Sequence, residues 1–295
     1  MSYRAFTRLT DAARRTELWR LALGILVVAT ITYGLGQSLV ALVALGMGDE
    51  AFLGFARDLM AGQTPASMCV LLLSVGALSV GTVVTAQFVH GRTARGLFGP
   101  SRPFLHQFFR VLLFVGVLQT VLIALPFAPA GTELEPGMPL GRWLVLLPLT
   151  LSALLIQTGS EELFFRGYLQ SQLAARLPYP LVWLTLPSAL FALGHFAPSV
   201  YGGNAVYVTL WAFAFGVAAA DLTARAGTLA PAIALHLVNN LVPVALVAPP
   251  GNMSGLALYL LPFDVTDEAA VLAMLPFDLI GILLCWLAAR IAIRA

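Results

Sequence analysis

Two adjacent carboxylates, Glu161 and Glu162, follow a long apolar stretch of the chain. Charged side chains in such a stretch are costly unless they are paired or hydrated, so an acidic pair there indicates function. On a helix, Glu162 and Arg166 lie four residues apart with the acid first, which favours an ion pair. Glu161 is rotated about 100° away and lacks a partner in its own helix. The spacing therefore predicts a supporting role for Glu162 and a general base at Glu161.

Two histidines provide the other groups that could do chemistry. His195 follows Phe191 by one helical turn, so the aromatic ring can wall one side of the imidazole. His236 precedes Asn240 by one turn, so its imidazole and the amide share a helix face, with Asn239 at the flank. Each motif alone also fits a core residue or an interhelical hydrogen bond. Together with the free carboxylate they predict a hydrolytic site, where a base activates water and donors stabilise an oxyanion.

The elements that carry these residues are long apolar segments. Of 295 residues, 59% are hydrophobic and 10% are charged, whereas a soluble domain has about 25% charged residues. Continuous rather than alternating apolar runs favour helices over barrel strands. About 20 apolar residues cross a bilayer as a helix, and the candidate spans are 20–46, 68–90, 105–128, 143–165, 181–198, 205–225, 228–248 and 273–293. We therefore predict an all-α membrane protein with about eight transmembrane helices, a single integral membrane domain over 1–295.

The arginines indicate the orientation of these spans. All sixteen basic residues are arginine, and an N-terminus in the cytoplasm places fourteen of them on the cytoplasmic side against two, Arg57 and Arg142, on the other. The fourteen are Arg4, Arg8, Arg14, Arg15, Arg20, Arg92, Arg95, Arg102, Arg110, Arg166, Arg176, Arg225, Arg290 and Arg294. Both termini are therefore predicted to be cytoplasmic, in what we take to be a prokaryotic plasma membrane. The net charge of +2 follows from topology, and we expect no nucleic-acid partner.

The remaining polar residues are given structural roles. The N-terminal segment up to Glu17 is expected along the cytoplasmic face. His90 and His106 flank residues 91–103, a segment with Gly, Pro and Arg that is predicted to be a cytoplasmic loop, and they are assigned to solvent or lipid headgroups. Pro276 and Asp278 are expected in the first turn of the last helix. The two cysteines, Cys69 and Cys285, are interpreted as small buried residues.

Three motifs occur in order on successive spans. They are Glu161-Glu162-x-x-x-Arg166, Phe191-x-x-x-His195 and His236-x-x-x-Asn240. This set resembles the CAAX-protease and bacteriocin-processing family (CPBP, also called Abi) of intramembrane proteases, which includes type II CAAX prenyl endopeptidases. The motifs lie within residues 160–240, about a third of the chain.

The resemblance implies an endopeptidase that acts on peptide or lipidated-protein substrates at the bilayer. It implies that Glu161 and His195 activate water and that His236 and Asn240 stabilise the oxyanion. Glu162 and Arg166 would support these groups. Family members have eight helices around a cavity that opens towards the cytoplasm, which here would lie among spans four, five and seven.

Members of the family are often described as metalloproteases. Glu161, His195 and His236 could supply three zinc ligands with an open fourth position. However, the chain has no H-E-x-x-H motif, and zinc coordination would leave only the paired Glu162 as a base. We therefore expect water activation without a required metal or other cofactor, with zinc as the alternative.

Two other functions stay open from the residues alone. A proton-coupled transporter could use Glu161, His195 and Asp221 as a relay, although the two halves of the sequence show no repeated motifs. A non-catalytic membrane scaffold or immunity protein is the other alternative, which complete motifs disfavour. The sequence does not indicate an oligomeric state.

Overall fold

The computed structural model describes residues 3–13, 15–125 and 133–294, and nearly all of its regular structure is helical. Arg14, Ala295 and the end of the third predicted span lie outside the described residues. Short helical turns occur at Arg4–Phe6, Thr7–Thr10, Ala94–Phe98, Pro198–Tyr201 and Gly202–Asn204. The main helices are α1 (Leu18–Leu45), α2 (Asp49–Ala61), α3 (Pro65–Phe88), α4 (Ser101–Ala124), α5 (Leu140–Ala174), α6 (Pro180–Leu193), α7 (Ala205–Ala226), α8 (Ala230–Leu246) and α9 (Glu268–Ile293).

Within the described residues, six helical segments are long and apolar enough to cross a membrane, and they include α1, α3, α4, α5, α7 and α9. The apolar helices α6 and α8 are shorter and coincide with the fifth and seventh predicted spans. The structure thus confirms a helical integral membrane protein. The exact number of spans and their sidedness stay predictions.

Two features of the helices differ from the prediction. Residues 49–61, which lie between the first two predicted spans, form the amphipathic helix α2. Helix α9 begins at Glu268, because the side chain of Asp267 caps it by accepting a hydrogen bond from the Ala270 amide. The expectation that Pro276 and Asp278 form its first turn is therefore wrong, since both lie more than two turns inside the helix.

Three two-residue strands join loops at one end of the molecule. β1 (Glu135–Pro136) pairs antiparallel with β3 (Tyr259–Leu260), and β3 pairs in parallel with β2 (Val247–Ala248). The sheet order is β1-β3-β2. This sheet ties the start of α5 to the end of α8, and so fixes the two helices that carry the acidic pair and His236.

Small residues allow α7 to pack closely at the centre of the bundle. Ala212, Ala219 and Ala220 are fully buried, and a side chain at Gly216 would come within 2.9 Å of the Ser188 Cβ on α6. Such small residues permit close backbone approach between membrane helices. The α6–α7 contact therefore places the motif at the end of α6 against the core.

The N-terminal segment packs into the bundle. Phe6 and Leu9 are buried, and the rings of Tyr3 and Phe6 lie 5.2 Å from that of Trp183 on α6. The Tyr3 hydroxyl donates to Asp221 on α7. The segment thus covers one end of α6 and α7, and its side chains are more deeply buried than those of a segment that only lies along the membrane face.

His90 is the clearest error among the predicted structural roles. It is 3% exposed, and its Nε2 lies 2.8 Å from the Tyr168 hydroxyl of α5. Burial lowers the pKa of His90, and the charges of Arg176, Arg20 and Arg92 lower it further. The assignment of His90 to solvent or headgroups is therefore wrong, whereas His106 is exposed. Cys69 and Cys285 are free and buried, as expected.

Candidate active site

Helix α5 changes geometry immediately after the acidic pair. It is α-helical to Glu162 and π-helical over Leu163–Gln170, and π-helical segments often occur at functional sites. Arg166 Nη1 donates to Glu162 Oε1 at 2.9 Å, and both side chains are 0% exposed. The ion pair expected from the four-residue spacing is therefore present and completely buried.

Two side chains of the π-helical segment attach α5 to α7. Arg166 Nη2 donates to the Gly216 carbonyl at 3.1 Å, and Gln170 Nε2 donates to the Ala220 carbonyl at 2.9 Å. Because donors and acceptors are each four residues apart, these bonds fix the rotation of one helix against the other. Gln170 had no role in the sequence prediction.

His236 lies between the two glutamates. Its Nδ1 is 2.7 Å from Glu162 Oε1, and its Nε2 is 3.5 Å from Glu161 Oε2. Glu162 is fully buried, whereas the Glu161 side chain is 16% exposed. Among the described residues, Glu161 Oε2 has no hydrogen-bond partner. Glu162 Oε2 lacks a hydrogen-bond partner in this part of the chain as well, so the two acids differ in exposure and in their contact with Arg166.

The contact between His236 and Glu162 assigns one ring proton. Because a carboxylate accepts hydrogen bonds, Nδ1 of His236 carries the proton that is donated to Glu162 Oε1. Nε2 is then the ring nitrogen that faces Glu161 Oε2, at 3.5 Å. When it carries a proton, a ring nitrogen in this position can donate to a developing oxyanion.

Phe191 connects the second motif to the cluster. Its ring centroid lies 4.6 Å from that of His195 and 5.9 Å from that of His236. The Arg166 guanidinium lies 4.9 Å from the same ring centroid. His195 Nδ1 is 2.9 Å from the Phe191 carbonyl. Since a carbonyl can only accept, Nδ1 carries a proton, and Nε2 is the ring nitrogen left for other contacts.

The position of His195 follows from its contact with Phe191. Helix α6 ends at Leu193, and His195 lies in the turn directly after it. The ring of His195 lies 4.6 Å from that of Phe191, which in turn lies 5.9 Å from that of His236. The end of α6 therefore adjoins the cluster around His236.

The amide of Asn240 has a partner that the sequence did not identify. Its Nδ2 donates to Gln157 Oε1 at 3.1 Å. Gln157 lies one turn before Glu161 on the same face of α5, so the stripe was visible in the sequence but its contact was not. Asn240 is half-buried, and its second N–H is the group that could face a substrate.

The three residues proposed as zinc ligands fit a metal only in part. Glu161 Oε2 and His236 Nε2 are 3.5 Å apart, close to the roughly 3.3 Å expected for two tetrahedral ligands at bond lengths near 2 Å. His195 does not complete the set, because within the described ranges no three His, Cys, Asp or Glu side chains are grouped to hold a metal ion. We therefore derive no chemical step through zinc.

Asp221, the third member of the relay considered for a transporter, is engaged elsewhere. It accepts hydrogen bonds from Tyr3, from Arg225 Nε and from Trp286 Nε1.

Phe215, one turn and a half before Asp221 on α7, packs on His236 with ring centroids 4.7 Å apart. No sequence signal distinguished Phe215 from other apolar residues of α7.

Comparison with known proteins identifies the segment that contains this cluster. A family model described as type II CAAX prenyl endopeptidase Rce1-like matches residues 142–242. The chain is 31% identical over 100 residues to the uncharacterized protein YyaK of Bacillus subtilis (strain 168). That alignment covers 34% of this chain and 33% of the relative, so the chain spans about a third of the curated relative it matches. No solved structure matches the chain significantly. The matched residues include all three motifs, so this comparison supports the predicted resemblance: over residues 142–242 the chain is similar to the CAAX-protease family.

Proposed function

We propose that the protein is an intramembrane endopeptidase that hydrolyses peptide bonds of membrane-associated peptides or lipidated proteins. The observation that carries this proposal is the partly exposed Glu161 carboxylate, whose Oε2 faces His236 and lacks a hydrogen-bond partner in the described part of the chain. The family match supports a peptidase of this class. A carboxylate in this position can bind and deprotonate a water molecule.

The proposed mechanism divides the reaction among the motifs. Glu161 takes a proton from water as the oxygen attacks the substrate carbonyl carbon. The resulting oxyanion accepts hydrogen bonds from His236 Nε2–H and from Asn240 Nδ2–H. When the carbon–nitrogen bond breaks, the leaving amine takes the proton gained from water, with His195 Nε2 as the carrier. Products are a carboxylate and an amine.

The supporting residues hold this geometry. Glu162 orients His236 through Nδ1–H, and Arg166 balances the charge of Glu162 while binding the Gly216 carbonyl. Gln157 orients the Asn240 amide. A hydrogen-bonded partner of this kind preserves the orientation of a catalytic group between turnovers.

We propose further that the reaction needs no metal ion and that the site lies within eight membrane-embedded segments with both termini in the cytoplasm. The fourteen-to-two distribution of arginines supports this orientation. The short helices α6 and α8 would be embedded segments enclosed by the longer ones. A prokaryotic plasma membrane is the proposed location.

A comparison of cells that differ only at Glu161 tests the function. Membrane fractions from cells with the wild-type protein, Glu161→Gln or Asn239→Ala are compared by proteomics for uncleaved proteins. We expect substrates to accumulate with Glu161→Gln and not with Asn239→Ala, which alters a residue on a different face of α8. Equal protein profiles for wild type and Glu161→Gln, at matched expression, would contradict the proposal.

A further inference from the structure

Asp278 is a carboxylate inside α9 that the proposed mechanism does not use. It lies ten residues, or about 15 Å of helix, after Glu268, within an apolar segment long enough to span a membrane. Residues 271, 275, 278, 282, 285 and 289 form one stripe of this helix, and its members Ile282, Cys285 and Ala289 are buried against neighbouring helices. Asp278 lies on the same stripe but is itself exposed, so it places a carboxylate on the outer surface of an apolar helix.

No residue in the described ranges forms a hydrogen bond or an ion pair with Asp278. Asp221, the other acid between α7 and α9, shows how this fold satisfies a carboxylate, since Tyr3, Arg225 and Trp286 all donate to it. An unpaired ionisable side chain within a membrane segment is costly, and such residues usually serve function. Asp278 thus lacks a partner that the protein itself could have supplied.

A cavity adjoins this carboxylate. It has a volume of about 160 Å³ and is lined by Tyr207, Val208, Trp211, Val271, Leu275 and Asp278. Pro276 has no backbone N–H, so the Leu272 carbonyl loses its helical donor near the same turn. The site therefore offers one carboxylate and two aromatic rings, and no cation in its lining.

A carboxylate beside Trp and Tyr rings is the combination that binds organic ammonium groups, because both the charge and the ring faces attract a cation. The volume accommodates a few heavy atoms, which suits an ammonium group and the adjoining methylenes but not a folded partner. We propose that this cavity binds the primary ammonium group of a ligand that enters from the bilayer on an apolar chain. Trp211 stacks on Phe215 at 5.8 Å, and Phe215 packs on His236, so the cavity adjoins the candidate active site without depending on its proposed activity.

Photolabelling of the full chain in phosphatidylcholine nanodiscs tests this proposal. The probe is a long-chain primary amine with a diazirine in its chain, compared with the alcohol of the same length. Labelled peptides from the start of α7 and the first half of α9 are quantified by mass spectrometry. We expect at least tenfold more labelling by the amine than by the alcohol, and a fall to the level of the alcohol with Asp278→Asn.

Matched variants separate the site from general attraction of amines to acids. Asp264→Asn, in the exposed loop before α9, should leave labelling unchanged. If Asp278→Asn does not fold, Asp278→Glu should retain preferential labelling, and Tyr207→Leu should reduce labelling by the amine severalfold but not by the alcohol. Equal labelling of the wild type by amine and alcohol, or undiminished amine labelling of folded Asp278→Asn, would overturn the proposal.

Competition distinguishes the two natural sources of a primary ammonium group. Phosphatidylethanolamine added to the nanodisc competes if the ligand is an aminolipid. A transmembrane peptide with one central lysine competes if the ligand is a side chain, whereas its norleucine counterpart should not. Protection by either competitor supports the site and assigns its source, and protection by neither would overturn the assignment to a natural ammonium ligand.

Discussion

Replacing Glu162 by glutamine removes one charge from an ion pair in which both side chains are 0% exposed. Arg166 then keeps an uncompensated charge away from water, and breaking a buried pair from one side costs about 3–5 kcal/mol. His236 also loses its charged acceptor at Nδ1. The Glu161 side chain is 16% exposed and has no arginine partner, so Glu161→Gln should cost less than about 1 kcal/mol.

Thermal unfolding in one detergent converts this difference into a measurement. At about 2–4 °C per kcal/mol for a chain of comparable size, Glu162→Gln should lower Tm by roughly 6–20 °C. Glu161→Gln should change Tm by no more than about 4 °C while abolishing cleavage. The double variant Glu162→Gln/Arg166→Met should recover part of the lost stability, because it removes the stranded charge.

The relative sizes of these effects decide the interpretation. Equal Tm changes for the two single variants would refute the unequal roles of the two acids. If Glu161→Gln retained cleavage near the wild-type rate, Glu162 would become the candidate base instead. A double variant no more stable than Glu162→Gln would show that the buried charge of Arg166 is not what destabilises the single variant.

Four further predictions follow from other parts of the structure. Asn240→Ala should lower kcat by about 10²–10³ with KM little changed. Gln157→Ala should lower kcat less, and Asn239→Ala should have little effect on it. If Asn240→Ala lowers Tm but leaves kcat intact, Asn240 is a packing residue. Exhaustive chelation should leave cleavage activity intact, and elemental analysis should find far less than one zinc per chain. Loss of activity on zinc removal and its recovery on zinc return would contradict this prediction. Burial lowers the pKa of His90, so as the pH falls the unfolded chain binds a proton at this imidazole before the folded protein does. Tm should therefore fall as the pH drops below about 6.5. His90→Gln should reduce this pH dependence of Tm. Reporter fusions at the C-terminus and in the 129–140 loop should report opposite sides of the membrane, and a common side would exclude the eight-span topology.

Contacts between residues four apart could be predicted because their geometry is local. The Glu162–Arg166 pair joins residues at a spacing that brings side chains together on a helix. The Phe191–His195 contact has the same spacing, although His195 lies in the turn after α6. The family resemblance added the expectation that the three motifs form one site, and the structure does bring Glu161 close to His236.

Contacts between helices needed information that the sequence lacks. The Asn240–Gln157 bond and the position of His236 between both glutamates depend on how α5 and α8 are rotated and offset. Apolar periodicity gives neither quantity for a helix that is hydrophobic on every face.

The errors at His90 and Asp278 have a common physical cause. Both residues lie near predicted boundaries of apolar segments, where composition alone does not tell whether a polar side chain faces water or protein. His90 is buried because Tyr168 supplies a hydrogen bond at the end of α3. Asp278 lies inside α9 because Asp267 caps that helix, which begins at Glu268, about one and a half turns before the predicted span at 273.

The ring of Phe191 explains how the motifs can act as one unit although they lie on different helices. The Arg166 guanidinium, 4.9 Å from its centroid, meets the negative quadrupole of the ring. The same ring lies against both imidazoles and so sets the distance between the proposed proton carrier and the proposed oxyanion donor. Arg166 is in turn fixed by Glu162 and by the Gly216 carbonyl. Packing on Phe191 therefore links the position of the acidic motif to that of His195. Among the described contacts, the side chain of His195 has a hydrogen bond only to the Phe191 carbonyl.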